Sequence, residues 1–282
     1  MTGVSWREVL DEDLARLPQH EARWIVEEAS GHEGGALVAH LDEAVTQRAL
    51  VRHDEMVARR LAGEPLQYVL GRWAFRTLDL AVDRRALIPR PETEQLVDAA
   101  LAELDRLGGR ERPTRVLDLG TGTGAIALSI CVERPRTSVW AVERSGDALA
   151  LARANTAGLG RPATRVTLVQ GSWFEPLDPA LAGTFELVVS NPPYVATVDE
   201  LDAEVRDWEP AEALFAGGDG LDDLRHIISE ALAWLAPGGA LVVEIGEQHA
   251  EPVRSLAREA GYAEADVVDD LSGRPRVLRA RR

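Results

Sequence analysis

The spacing of apolar residues changes twice along the chain. In the first stretch, up to about residue 62, Trp6, Val9, Leu10, Leu14 and Leu17 recur at helical intervals and predict an amphipathic helix. A second helix is expected over Glu21–Ala29, ended by Gly31, Gly34 and Gly35, and a third from about Asp42 to Leu61, stopped by Gly63. Residues 67–88 lose that period. There, Gln67–Gly71 and Leu78–Val82 are short apolar runs that predict a β-hairpin. From Pro91 onward, apolar runs of strand length alternate with segments of helix length. Strands are expected at 115–120, 137–143, 165–170, 185–190 and 240–246, and helices at 93–106, 124–133, 147–157, 221–235 and 248–260. A closing pair of strands falls near 263–268 and 275–280. This alternation predicts an α/β fold with a mostly parallel sheet covered on both faces, and the closing pair an antiparallel edge. The predicted organisation is a helical domain over 1–66, a hairpin linker over 67–90 and an α/β domain over 91–282.

Composition narrows the classes. With 282 residues, 45% of them hydrophobic, the chain can build a substantial core. A formal net charge of −16 argues against a general binder of nucleic acid. All 31 basic residues are arginine. Cys131 is the single cysteine, so no intrachain disulfide can form, and the chain reads as intracellular, with a cytoplasmic location expected. The first residues lack a basic-then-apolar signal pattern, and no apolar run of about 18 residues suggests a membrane span. The six histidines show no metal-ligand spacing and one cysteine cannot build a thiolate site, so no metal is expected.

Candidate chemistry gathers at two strand ends. The first reads Asp118-Leu-Gly-Thr-Gly-Thr-Gly124 and lies between a strand and a helix. Gly120, Gly122 and Gly124 permit a tight turn and close backbone approach, with Thr121 and Thr123 between them. Dinucleotide-binding folds use a similar turn, usually spaced Gly-x-Gly-x-x-Gly, with a helix N-terminus beneath the pyrophosphate. The Gly-x-Gly-x-Gly spacing relaxes the case for a phosphate ligand and suits S-adenosylmethionine, which has none. Glu143 closes the next strand, where a carboxylate can accept both ribose hydroxyls or simply be a solvated strand end. Trp173 follows the third strand and is either a platform for adenine or a core residue. Asp118 is either a cofactor contact or a capping carboxylate.

The second strand end is Asn191-Pro192-Pro193-Tyr194, directly after the apolar run Phe185–Ser190. An amide or aromatic amine nitrogen is a weak nucleophile because its lone pair is delocalised. An enzyme that methylates it must hold the NH2 group with acceptors. The Asn191 side-chain oxygen is one and a backbone carbonyl of the turn another. Proline at 192 biases Asn191 toward extended geometry, and two consecutive prolines stiffen the turn and remove two N–H donors. Tyr194 adds a flat face for a planar group. Rossmann dehydrogenases share the glycine turn but lack Asn-Pro-Pro-Tyr.

With these residues in place, the chain resembles the release-factor glutamine methyltransferases of the PrmC/HemK type. The likeness runs through Gly63–Tyr68, Leu87–Glu94, Asp118–Gly124, Trp173–Pro176, Ser190–Tyr194, Gly217–Leu221 and Glu244–Gly246, in order. Asn-Pro-Pro-Tyr alone is shared with DNA and RNA base methyltransferases; the first two blocks narrow the match. The resemblance implies a Rossmann-like class I methyltransferase domain behind a helical N-terminal domain, S-adenosylmethionine as donor, S-adenosylhomocysteine as product, and peptide-chain release factors as protein substrate, methylated on the glutamine of their Gly-Gly-Gln loop. By position it implies cofactor contacts at Gly120–Gly124, Glu143, Trp173 and Asn191, substrate contacts at Asn191, Pro192, Pro193 and Tyr194, and an aromatic near the site at Phe75, for which a core role is an equal reading. Two positions depart from the family pattern. Glu143 stands where aspartate is common, and Ser172 where aspartate often precedes the tryptophan, which implies a weaker hold on adenine. A nucleobase amino-methyltransferase would use the same turn on an exposed or flipped base, and a non-catalytic module could keep the cofactor fold. The acidic charge weighs against the first and the intact Asn-Pro-Pro-Tyr against the second.

Overall fold

The computed structural model describes residues 3–282 and divides into two compact units. The first runs to Arg72 and includes Asp202–Trp208; the second holds Trp73–Leu201 and Glu209–Arg282.

The first unit is helical. It contains α1 (Trp6–Leu14), α2 (Gln19–Ser30), α3 (Gly35–His40), α4 (Gln47–Leu61) and α5 (Leu66–Leu70). Ser5 and Glu8 form a reciprocal capping box that starts α1, and the Thr46 hydroxyl caps α4. Trp6, Ile25, Val26, Leu37, Met56 and Val57 form its core. Helix α5 corrects the expectation of a strand at 67–71 and moves the start of the hairpin. Its apolar residues are too few for their period to separate helix from strand. Pro65 precedes the helix and Gly71, at φ 75°, ends it. The Arg59 guanidinium donates to the Tyr68 carbonyl at 2.8 Å, satisfying an end-of-helix acceptor from outside.

But for Arg72, the second unit opens with the hairpin, β1 (Arg72–Phe75) and β2 (Leu78–Ala81). Then come α6 (Pro91–Arg106), β3 (Thr114–Leu119), α7 (Ala125–Glu133), β4 (Thr137–Glu143), α8 (Gly146–Gly158), β5 (Val166–Gln170) and β6 (Phe185–Ser190). A short helix α9 (Ala203–Trp208), unforeseen from the sequence, belongs to the first unit. The chain closes with α10 (Asp222–Trp234), β7 (Leu235–Glu244), α11 (Ala250–Ala260), β8 (Glu264–Asp269) and β9 (Pro275–Arg281). The seven-stranded sheet has the order β5-β4-β3-β6-β7-β9-β8. Its first five members pair in parallel; β9 pairs antiparallel with both β7 and β8. Strands β3 and β6 are buried along nearly their whole length, as strands covered on both faces must be. Strand β7 starts five residues earlier than expected (240 − 235) and carries Pro237-Gly-Gly239 within it, beside a register shift at Phe185/Leu187. Among the described residues, no helix is long and apolar enough to cross a membrane.

The strand order locates the site. From β3 the chain steps outward to β4 and β5, then returns to place β6 on the other side of β3. Open α/β sheets bind ligands at such a reversal, beyond the carboxyl ends of the strands. Leu119 pairs with Ser190, and the Ser190 hydroxyl donates to the Leu119 carbonyl at 2.7 Å. The glycine turn and the Asn-Pro-Pro-Tyr turn therefore leave the sheet side by side.

Candidate active site

A cleft of about 920 Å³, partly open to solvent, lies at this reversal. Gly120, Thr121, Gly122 and Thr123 form one wall, Glu143 and Trp173 another, and Asn191 and Pro193 close it. The glycine turn is held from behind. The N–H groups of Gly120 and Thr121 both donate to the Val142 carbonyl, at 2.9 and 3.0 Å, and Gly124 N–H donates to the Thr121 carbonyl at 2.8 Å. Gly120 sits at φ 70°, and a Cβ there would meet the Trp173 ring at 3.5 Å. The positive φ favours glycine here, while the indole lies at ordinary contact distance. Trp173 itself adopts φ 45°, rare for a bulky residue, which turns its ring onto the glycine turn.

Glu143 is buried and its carboxylate is partly engaged. Oε2 accepts from Gly122 N–H and Oε1 from Ser145 N–H, each at 2.9 Å. Each oxygen keeps a second lone pair. The two arginines on the rim are committed elsewhere: Arg85 to Asp83 at 2.6 Å and Arg144 to the Glu212 carbonyl at 3.0 Å. The cleft thus offers a largely apolar lining with the Trp173 ring, Glu143 as its buried carboxylate, and no free phosphate clamp among these groups. That donor set fits a nucleoside carrying a cationic sulfonium.

At the acceptor turn, Asn191 Nδ2 donates to Thr93 Oγ1 at 3.2 Å, Thr93 Oγ1 donates to Glu244 Oε2 at 2.7 Å, and Tyr194 OH donates to Glu244 Oε1 at 3.2 Å. Thr93 lies in the first turn of α6, which Pro91 starts, and Glu244 ends β7. Burial pushes the Glu244 carboxyl upward, opposed by the Thr93 hydroxyl, the Arg276 guanidinium and the Tyr194 hydroxyl. Burial, then the neighbouring Glu244 charge, pushes the Tyr194 phenol upward. Beyond Tyr194 the chain is zipped to the segment before α10. Val195 N–H donates to the Leu214 carbonyl at 3.0 Å, Ala216 N–H to the Val195 carbonyl at 2.9 Å, and Thr197 N–H to the Gly217 carbonyl at 2.9 Å.

Most of the residues expected from the sequence meet in the cleft, and several do not line it. Asp118 is wholly buried behind the glycine turn, where its Oδ2 accepts the Thr121 hydroxyl at 2.6 Å; burial pushes its carboxyl up to about 7. It holds the turn from behind. Gly124, at φ 88°, ends the turn ahead of α7. Pro192 faces inward, whereas Tyr194 borders a second opening with Asp199, Gly246, Gln248 and Arg276. Phe75 is 1% exposed and lies outside the cleft lining, so the core reading applies. Three residues that sequence reasoning missed are Thr93, Glu244 and Asn155. The Asn155 amide accepts from Ala81 N–H at 2.8 Å and donates to the Ala81 and Thr123 carbonyls at 3.0 and 2.9 Å, tying the hairpin to the glycine turn. Thr93 and Glu244 stand in matched blocks, 87–94 and 244–246, that carried no chemical role. In the first unit the fold gathers His32, His40 and Glu43, with ligand atoms within 4.8 Å of one another. Their two rings stack at 4.0 Å and 12°, so the in-plane lone pairs run side by side and do not converge on one ion.

Comparisons with known proteins agree with this geometry. The PrmC N-terminal domain profile matches residues 5–71, and the methyltransferase small domain profile residues 97–219. A release factor glutamine methyltransferase of Deinococcus radiodurans is 42% identical over 285 residues, covering 98% of each chain. One of Salmonella typhimurium is 40% identical over 263 residues, covering 92% of this chain and 91% of that one. Among solved structures, a methyltransferase from Pyrococcus furiosus superposes with a TM-score of 0.53 at 18% identity, covering 81% of this chain and 98% of that one. The hMettl16 catalytic domain, solved with a MAT2A 3'UTR hairpin, superposes with a TM-score of 0.55 at 16% identity, covering 84% and 81%. These two likenesses establish the class I methyltransferase fold. The near-full-length relatives go further, and the chain belongs to the release factor glutamine methyltransferase family.

Proposed function

We propose that the protein transfers a methyl group from S-adenosylmethionine to the side-chain amide nitrogen of the glutamine in the Gly-Gly-Gln loop of peptide-chain release factors, in the cytoplasm and without a metal ion or a nucleic acid partner. The observation that carries this reading is Asn191 at the wall of the same cleft as Gly120–Thr123 and Glu143, in a chain whose relatives of nearly full length bear that activity in their names. Bound S-adenosylmethionine would supply an electrophilic sulfonium methyl. Glu143 would accept the ribose hydroxyls with its remaining lone pairs, and Trp173 would give the adenine a flat face.

Asn191 Oδ1, with its Nδ2 already committed to Thr93, would accept from the substrate NH2 and fix the nitrogen toward the methyl. Pro192 and Pro193 would hold that turn stiff, with a backbone carbonyl as second acceptor. Orientation and proximity supply most of the rate. Water displaced when donor and substrate fill the cleft would help further, because the positive charge disperses as a neutral nitrogen attacks a cationic donor. As the N–CH3 bond forms the S–CH3 bond would break, and S-adenosylhomocysteine would leave as the neutral thioether. The methylated nitrogen, now acidic, would lose its proton to water or to an acceptor of the turn, so the chain needs no dedicated base. The test is mass spectrometry of a release factor incubated with the protein and isotope-labelled donor. One labelled methyl on the Gly-Gly-Gln glutamine is the expected result. Label on another residue, or none, would overturn the proposal.

A further inference from the structure

The hydrogen-bond chain behind Asn191 has a direction, and its far end sets it. An ionised carboxylate only accepts hydrogen bonds. Glu244 takes one from Thr93 and one from Tyr194, the pattern of the ionised form, which those two hydroxyls and the Arg276 guanidinium favour against burial, so neither of its oxygens offers a proton to the chain. Thr93 has one hydroxyl proton, spent on Glu244, and its oxygen is left to accept. The group facing that oxygen must be a donor, so the Asn191 amide turns its NH2 toward Thr93 and its Oδ1 away from it. An asparagine amide is nearly symmetric in shape, and only its partners choose between the two orientations. Reversing it would present an NH2 where an acceptor is needed.

We infer that Glu244, acting through Thr93, sets the amide orientation of Asn191 and is thereby a positioning residue for the methyl acceptor. The inference rests on the reading of Asn191 as the acceptor contact. It also gives Glu244-Ile-Gly246 and Thr93 a chemical role. Glu244→Gln is the discriminating change because it keeps size and shape. Its Oε1 can still accept from Tyr194, which puts its NH2 against Thr93. The Thr93 hydroxyl, with its acceptor gone, would then be free to donate to Asn191, and the amide would no longer be held in one orientation.

The experiment compares the full-length chain with E244Q, T93V, T93S, N191A and the double variant N191A/E244Q. Donor affinity is measured by calorimetry and single-turnover methylation on a release factor. E244Q and T93V should each slow methylation tenfold or more while donor affinity stays within about twofold. T93S, which keeps the hydroxyl, should return to within about threefold of the parent. N191A/E244Q should be no slower than N191A, because Glu244 acts only through that amide. Losses that multiply in the double variant would mark a general structural role and overturn the inference. Parent rates in E244Q and T93V with an inactive N191A would overturn the relay and leave the Asn191 contact standing. A parent rate in N191A would remove the Asn191 reading, and the relay with it. If E244Q does not fold, the contrast between T93V and T93S decides.

Discussion

At the level of single residues, Glu143 shows how much of a site lies beyond its motif. Its position at the end of a strand was legible, because a carboxylate there can reach a ribose. Its two backbone bonds, to Gly122 and Ser145 N–H, were not. They make Glu143→Gln harsher than a charge removal alone, since the new NH2 must face one of two N–H donors. Losing one charge-assisted bond and leaving a donor unpaired should weaken donor binding by about 1–3 kcal/mol, which calorimetry reads as roughly fivefold to 150-fold. An unchanged affinity would remove Glu143 from the donor site. Asp118 gives a pH prediction. Burial raises its carboxyl from 3.8 to about 7, so the folded state holds the proton longer than the unfolded chain. Its contribution is fully favourable below pH 3.8 and is lost as pH rises toward 7. Asp118→Asn keeps an oxygen for the Thr121 hydroxyl and removes the titration. Its melting temperature should fall less than the parent's between pH 5 and pH 8, by several degrees on the basis of about 1.4 kcal/mol per unit of pKa difference. Equal slopes in both proteins would refute it. Thr93 and Glu244, 151 positions apart, carried no signal of their contact, because no local pattern encodes a partner on a distant element.

The elements were most legible where periodicity was long. Strands β4 and β6 begin and end where the apolar runs do, at 137–143 and 185–190, and the alternation of strands and helices gave the parallel sheet its class. Legibility failed in five- and six-residue pieces. Helices α3, α5 and α9 are each shorter than two turns and are held by distant partners such as Arg59, so their own sequences could not announce them. The segment Gly217–Leu221 matched as a block, and its reason emerges only in three dimensions. Gly220 has φ 73°, and a Cβ there would lie 2.4 Å from the Tyr194 carbonyl oxygen. The segment packs backbone to backbone against the acceptor turn. Gly218, two positions earlier, has no atom within 4 Å of where a Cβ would stand. Gly220→Ala should therefore lose at least about 1–2 kcal/mol of stability from the left-handed backbone alone and displace Tyr194, lowering turnover more than donor affinity. Gly218→Ala should remain within about 0.5 kcal/mol of the parent, as surface changes do. Thermal melts and single-turnover rates check the pair, and equal behaviour of the two would refute the close-packing account.

For the whole molecule, the chain's division suggests a division of labour. All residues that line the cleft belong to the unit formed by Trp73–Leu201 and Glu209–Arg282. We propose that the helical unit serves recognition of the intact release factor. Where to cut matters. A fragment starting at 85, within the expected linker, would discard β1 and β2. Those strands are bound into the sheet unit. Ala81 exchanges two backbone hydrogen bonds with the Asn155 amide, which also holds the Thr123 carbonyl, and Arg76 Nε reaches Glu133 at 2.6 Å. Removing them would loosen the glycine turn and confuse loss of recognition with loss of the donor site. The fragment 73–282 keeps both strands but for Arg72. It should bind S-adenosylmethionine within about threefold of the full chain, because every cleft residue is retained. On intact release factor its kcat/KM should fall tenfold or more, about 1.4 kcal/mol of lost contact. On a short Gly-Gly-Gln peptide, which offers the helical unit little to hold, the fragment and the full chain should differ much less. Kinetics on the two substrates separate the outcomes: an equal loss on peptide and protein would mean that the helical unit supports the catalytic cleft itself, and no loss on either would leave it without a part in recognition.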